Sequence, residues 1–167
     1  EICRGASCQE IIRRYLIAEC DYKKGKIGSE AMERAQLLMK EVGKDVSDRS
    51  VVQAARDYVE QKRALDPKYI NTVVMAIELP DGSIVTGRSS RRMVAAAAMV
   101  LNAIKKLSHI DDEMMIITPL VLETIQKLKT DELGYDRTSL NCEEVLMALA
   151  ISGTNNPSAQ VAAGKLP

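Results

Sequence analysis

Apolar residues recur three or four positions apart through the first part of the chain, which predicts three amphipathic helices. Ser7 and Glu10 have the spacing of a capping box and predict where the first helix begins, and Gly25 predicts where it ends. The second helix is predicted to begin at Ser29. We therefore expect a helical subdomain over residues 1–66.

The spacing changes after Pro67, where alternation of apolar and polar residues replaces the helical period. The alternation runs over residues 69–79 and resumes at 84–86 after a Pro-Asp-Gly-Ser turn, which predicts a β-hairpin. In the first strand Met75 and Ile77 lie on one side, and Val74 and Ala76 lie on the other.

Helical spacing returns beyond the hairpin in an alanine-rich segment, and the short apolar run 114–117 predicts a third strand. A further helix is predicted to begin at Thr118-Pro119, and Asn141 with Glu144 forms a capping box for the helix after it. The fold class is therefore predicted as α/β. The helical subdomain is followed by a small layered α/β subdomain over residues 67–167, truncated at its C-terminal end.

The order hairpin, helix, strand, helix is that of the zinc-dependent nucleobase deaminases. Their zinc centre needs a His or Cys two residues before a Glu at the first helix, and Pro-Cys-x-x-Cys at the second. Residues 93–97 of this chain read Met-Val-Ala-Ala-Ala, and residues 118–121 read Thr-Pro-Leu-Val. We predict a deaminase-like topology that binds no zinc and needs no cofactor.

The composition of the chain argues against two classes of binding partner, nucleic acids and membranes. The 23 basic and 23 acidic residues give a formal net charge of zero, and the chain has no Trp and no Phe. A chain of this composition lacks the basic stripe and the stacking aromatics that nucleic-acid binding requires. The apolar run 93–101 is shorter than the roughly 20 residues that cross a bilayer. We therefore expect neither a nucleic-acid nor a membrane partner.

The first residues of the chain and its cysteines indicate the cellular compartment. The chain begins Glu-Ile-Cys-Arg without a Met and shows no secretory signal, so we expect a piece of a longer, cytoplasmic protein. The four cysteines are expected to be reduced thiols, because a chain of this length builds a core without disulfides.

The segment 86–90 is the strongest candidate for ligand binding. Its glycine allows close approach of a ligand at a strand end, its arginine offers a fork for phosphate or carboxylate, and its serines add hydroxyl donors before a helix. The alternative is that the serines are ordinary helix caps and the arginine is a solvated surface residue. Two more helices are predicted to begin at polar residues, near Thr118 and Asn155. These residues would belong to the same site if they lie at the same edge of the sheet as Gly87. The predicted ligand-binding residues are Gly87, Arg88, Ser89, Ser90, Thr118 and Asn155.

Several long stretches of the chain resemble one bacterial family, the domain of unknown function DUF1846, also called uncharacterised protein family UPF0371. The matching stretches are residues 7–15, 20–25, 79–90, 141–146 and 156–162. The resemblance implies that the chain is an internal fragment of a longer protein, with a helical subdomain followed by an α/β subdomain of deaminase-like topology. It implies no activity, because none is established for the family.

Two segments depart from the family pattern. Arg91-Arg92 stands where an acidic residue usually follows the Gly-Arg-Ser-Ser stretch, and residues 151–155 replace a pattern of small residues and cysteine. The first departure raises the local positive charge beside the 86–90 segment.

Two functions from different classes remain open. One is binding of a small anionic ligand, a phosphate or a carboxylate, at the 86–90 segment as part of a larger protein. The other is a structural or oligomerisation module without a catalytic role. In either case we expect a homo-oligomer, because a sheet with unpaired edges favours pairing with another strand. Whether the protein is an enzyme stays open.

Overall fold

A computed structural model of the chain describes residues 2–166. Contacts between residues divide the chain into two compact units, 1–53 and 54–167. The division falls inside the third helix, whereas the predicted domain boundary lies at residue 66. That boundary therefore stays a prediction.

The first unit is helical. α1 is followed by α2, which packs against it, by a short 3₁₀ turn and by the beginning of α3. Gly25 ends α1 as predicted, with a positive φ of 69° that glycine adopts without strain. The elements are α1 (Ile2–Lys23), α2 (Ser29–Glu41), the 3₁₀ turn (Val46–Asp48) and α3 (Ser50–Leu65).

The capping box predicted at Ser7 and Glu10 is wrong, because α1 already includes both residues. The Ser7 hydroxyl donates to the carbonyl oxygen of Cys3 at 2.8 Å, one turn earlier in the same helix. Glu10 instead accepts from Arg13 Nε at 2.7 Å and from Arg14 Nε at 2.9 Å. These hydrogen bonds lower the pKa of the Glu10 carboxyl to about 2.

The second unit combines a β-hairpin with four helices, so the α/β class is confirmed in its broad form. The predicted hairpin and the helix starts at Pro119 and Cys142 are confirmed. The elements after the end of α3 are a 3₁₀ turn (Pro67–Tyr69), β1 (Val74–Glu78), β2 (Ile84–Arg88), α4 (Ala95–Leu107), α5 (Pro119–Lys127), a π-helical turn (Leu128–Glu132), α6 (Cys142–Gly153) and α7 (Pro157–Ala163).

The two strands pair antiparallel, and Ala76 stands opposite Thr86. Ser89 N donates to Val73 O at 2.8 Å, so this pair is hydrogen-bonded. Hydrogen-bonded and non-bonded pairs alternate along an antiparallel ladder, so the pair three positions on is non-bonded. Ala76 and Thr86 therefore direct their N–H and C=O groups away from the partner strand. On the β2 side the amide nitrogen of Asn102 donates to Thr86 O at 2.8 Å.

The third strand predicted at 114–117 is wrong, since this segment forms turns and bends. Only its second half is buried: Ile116 is 2% exposed and Ile117 is 8% exposed, whereas Met114 and Met115 are 46% and 58% exposed. Asn156 Nδ2 lies 3.5 Å from the carbonyl oxygens of Met115 and Ile116, so a side chain takes the place of a neighbouring strand. The deaminase-like order is not confirmed, because residues 114–117 do not form the strand that it needs between α4 and α5.

The main core of the second unit lies among α4, α5, α6 and α7. Its fully buried members include Ala97, Leu140, Val145 and Leu149. On β1, Met75 is 45% exposed and Ile77 is 37% exposed. The reason is that α4 packs mainly on β2, which leaves β1 at the margin of the covered face.

Candidate functional site

Gly87 is buried where β2 meets α4. A Cβ atom placed on it would lie 2.0 Å from Met99 N, 2.4 Å from Met99 Cα and 2.6 Å from the carbonyl carbon of Ala98. The backbone of α4 therefore fills the space into which we expected a ligand to approach. This glycine allows a helix, and not a ligand, to approach the strand closely.

Arg88 is half-buried at the end of β2. Its guanidinium carbon lies 5.0 Å from the centroid of the Tyr69 ring, and Nη1 lies 3.5 Å from the carbonyl oxygen of Ser89. Lys68 Nζ is 4.9 Å from the same ring centroid, and its hydrogen bond with Asp66 raises the pKa of Lys68. Two cations therefore share one aromatic ring beside the 86–90 segment.

The two candidate serines are engaged in local structure. Ser89 Oγ accepts from Val73 N at 3.1 Å and extends the hairpin by one pair. Ser90 Oγ accepts from Met93 N at 3.3 Å and closes a turn. Helix α4 begins later, at Ala95, so the serines do not cap it and its free N–H groups do not adjoin them.

Thr118 and Asn155 meet at Ser152, which is 2% exposed. Thr118 N donates to Ser152 Oγ at 3.1 Å, and Asn155 N donates to Ser152 O at 3.2 Å. The structure thus brings these two candidates together at the end of α6. The contacts of residues 87–90 described above lie elsewhere, with the hairpin, the 3₁₀ turn before it and α4.

The sequence analysis missed a cleft of about 300 Å³ between α4, α5 and residues 115–117. We call it the α4–α5 cleft. Its walls are largely apolar, and its charged lining residues are Arg92, Lys105 and Glu123. It lies between the two candidate regions along the chain, since Arg92 follows Ser90 and residue 117 precedes Thr118. Apolar periodicity cannot reveal such a cleft, because residues that line a cleft and residues that fill a core have the same pattern.

A buried cation was also missed. Lys129 is 7% exposed in the π-helical turn, and its Nζ donates to Ser139 O at 2.9 Å and to Glu144 Oε2 at 2.8 Å. The same Glu144 oxygen accepts from Asn141 N at 2.8 Å, which completes the predicted capping box. The box gave a sequence signal for Glu144, but nothing in the sequence pointed to Lys129 as its partner.

Neither a metal-binding cluster nor a membrane-spanning helix is found among the described residues. Among residues 2–166, no three His, Cys, Asp or Glu side chains lie close enough together to hold a metal ion. Across the same residues, no helix has both the length and the apolar character that crossing a membrane requires.

These features define a mixed protein of helices and one β-hairpin, with an apolar cleft whose rim is charged. The chain belongs to the DUF1846 family. Residues 1–43 match the model described as "Domain of unknown function DUF1846, N-terminal", and residues 47–167 match the model described as "Domain of unknown function DUF1846, C-terminal".

Curated relatives carry the name "UPF0371 protein". One from Clostridium botulinum (strain Kyoto / Type A2) is 48% identical over 167 residues, which cover 100% of this chain and 33% of the relative. Another, from Clostridium botulinum (strain Alaska E43 / Type E3), is 50% identical over 163 residues, covering 97% of this chain and 32% of the relative. The chain thus spans about a third of the length of the curated relatives it matches.

Proposed function

We propose that this chain is an assembly module that pairs with a second copy of itself through the outer edge of β1. The observation that carries the proposal is the combination of an unpaired strand edge with exposed apolar side chains. Within residues 2–166 the sheet has only two strands, so no further strand pairs with β1 on its outer side. Met75 and Ile77, on this strand, remain 45% and 37% exposed.

The sequence of β1 supports pairing at this edge. Natural edge strands are protected by lysine, proline or a bulge, which prevent another strand from adding. The segment Val74–Glu78 reads Val-Met-Ala-Ile-Glu and has neither lysine nor proline. The N–H and C=O groups of Ala76 point outward at its centre, as the alternation of the ladder requires.

A second copy is the occupant that the charge and the geometry favour. The net charge of zero removes the long-range repulsion that would separate two copies. A lone two-stranded hairpin is marginally stable, and sheets usually have three or more strands. Antiparallel pairing of β1 with its copy, about a two-fold axis near Ala76, would produce a four-stranded sheet.

Replacing Met75 with lysine is expected to weaken self-association about tenfold or more, a change of roughly 1.4 kcal/mol. The added lysine places a charge at the edge and, across the two-fold axis, brings a like charge near it. The matched control is Leu120→Lys, which makes the same change at a residue on α5 that is 75% exposed and lies away from the hairpin. Sedimentation velocity over a range of protein concentrations measures the effect.

A second variant tests backbone hydrogen bonding at the edge of β1 without changing the side chain at position 75. Ala76→Pro removes an N–H that points outward, so it blocks edge pairing without deleting a hydrogen bond inside the hairpin. We expect this variant and Met75→Lys to sediment as monomers while wild type and Leu120→Lys sediment as dimers. A wild-type monomer at every concentration would contradict the proposal, and so would equal dimerisation of all four proteins.

We keep binding of a small anion at the 86–90 segment as a second candidate function. It is favoured by the Arg88 guanidinium, which is held over Tyr69 and makes one long hydrogen bond, at 3.5 Å. Most of its five donors therefore stay available to phosphate or carboxylate. The cation of Lys68 beside the same ring adds positive potential.

For this candidate, Arg88→Ala is expected to weaken binding of inorganic phosphate about tenfold to a hundredfold. The lost charge-assisted hydrogen bond contributes roughly 1.5–3 kcal/mol. Arg91→Ala should have a much smaller effect, because Arg91 is exposed and lies outside the 86–90 segment, so that it would act on the bound anion only through screened charge. Phosphate-dependent thermal stabilisation at low and moderate salt measures both variants. Equal losses would indicate diffuse charge, and no loss in either would remove this candidate.

A further inference from the structure

We propose that the α4–α5 cleft binds a medium-chain carboxylate, with the aliphatic tail inside the cleft and the carboxylate at Arg92. This site is distinct from the β1 edge and from the 86–90 segment.

The size and the walls of the cleft select the tail. A volume of about 300 Å³ holds roughly ten non-hydrogen atoms, at the ~30 Å³ that one water occupies in the liquid. Leu101 and Leu122 line it from the facing helices α4 and α5, and Ile117 lines it from the segment between them. Burial of a flexible aliphatic chain against such walls is favourable in proportion to the apolar surface that it removes from water. Octanoate matches this volume.

Arg92 supplies the partner for the head group. Among the described residues its guanidinium has no hydrogen bond and no ion pair, although its backbone is fixed. Its carbonyl oxygen accepts from Leu140 N at 2.9 Å, and the carbonyl oxygen of Arg91 accepts from the side chains of Gln126 and Thr138. A rigid backbone thus presents an unpaired fork at the cleft, which suits bidentate binding of a carboxylate.

The other charged residues of the cleft set the direction in which the ligand enters. Lys105 also lines it, but its Nζ already donates to Asp112 O at 2.7 Å. Lys105 is 13 positions from Arg92 along the chain and two to three turns beyond the start of α4, so the two cations cannot share one head group. Glu123 is the only acidic lining residue, and it disfavours a dianion such as phosphate more than a monoanion.

The test is calorimetric titration of the full chain with sodium octanoate. We expect saturable binding of one octanoate per chain with a Kd of about 1 mM or lower, close to −0.4 kcal/mol per non-hydrogen atom. Arg92→Ala should raise that Kd about tenfold or more. Arg91→Ala is the matched control. It removes an equal charge from the adjacent exposed residue, which does not line the cleft, and should change the Kd less than about twofold.

Two further measurements distinguish binding of the carboxylate head group from binding of the aliphatic tail. Octanamide has the same tail without the charge, so Arg92→Ala should leave its affinity unchanged. Ala98→Leu adds bulk to a half-buried wall residue of the cleft and should abolish binding of both compounds, while thermal unfolding checks that the variant is folded. The proposal is overturned if octanoate does not saturate a single site, if the two arginine variants lose affinity equally, or if folded Ala98→Leu binds octanoate as wild type does.

Discussion

Replacing Gly87 with alanine is expected to destabilise the second unit by about 3 kcal/mol, at the upper end of the usual overpacking range. The new Cβ would lie 2.0 Å from Met99 N and 2.4 Å from Met99 Cα, and backbone atoms cannot rotate away as a side chain does. Helix α4 would have to move off β2. For a chain of this length the midpoint of thermal unfolding should fall by roughly 6–12 °C.

Gly153→Ala is the control for this prediction. A Cβ at Gly153 would lie 3.6 Å from the nearest atoms of Gln160, which is ordinary van der Waals contact, and this glycine is the last residue of α6. We expect that variant to be as stable as wild type or slightly more so, because alanine favours helix. Differential scanning calorimetry of both variants decides the matter. A drop of less than about 1 kcal/mol for Gly87→Ala would mean that α4 adjusts to the strand at little cost.

Replacing Lys129 with alanine is expected to cost about 3 kcal/mol, the lower end of the range for breaking a buried ion pair. The lysine is 7% exposed, and its removal leaves Glu144 and the carbonyl oxygen of Ser139 without their cation. We expect a loss at the lower end of that range because the Glu144 side chain is 22% exposed and keeps its hydrogen bond from Asn141 N. Lys127→Ala, at an exposed lysine on the same helical segment, should be near neutral.

A double-mutant cycle separates the ion pair from packing. Lys129→Met keeps most of the buried aliphatic volume and removes the charge, and Glu144→Gln removes the opposite charge. If the pair acts as a unit, the double variant should be more stable than the sum of the two single losses predicts. Urea unfolding of the four proteins measures the coupling free energy. Strict additivity would show that the two charges act independently.

Local signals predicted the elements whose boundaries depend on local chemistry. The capping box of Asn141 with Glu144, the proline at position 119 and the Asp81-Gly82 turn all act within four residues, so the sequence alone located them. Ser7 and Glu10 have the same spacing as the Asn141 box, but the residues before them continue the helix. A spacing motif therefore marks a helix start only where the preceding residues cannot be helical.

Errors arose where long-range packing decides the structure. The apolar run 114–117 has the same sequence pattern whether it is a strand or a buried turn, and contacts from Asn156, about forty residues away, decide between them. Gly87 was expected to allow close approach of a ligand, but the group that approaches it is the backbone of α4, which lies beyond the range of local sequence signals. The polar positions of the candidate site are likewise used by local partners, while the unpaired cation Arg92 lies only two residues beyond them.

The amide of Asn102 has a consequence for the size of any assembly. It occupies the carbonyl oxygen at the middle of the outer edge of β2, and no equivalent cap lies on Ala76 of β1 among the described residues. If both strand edges were open, copies could add head to tail without limit and polymerise into filaments. If two copies pair through β1 as proposed, that pairing uses the one open strand edge that each copy has among its described residues. Growth would then stop at a closed dimer, and Asn102 would set this limit.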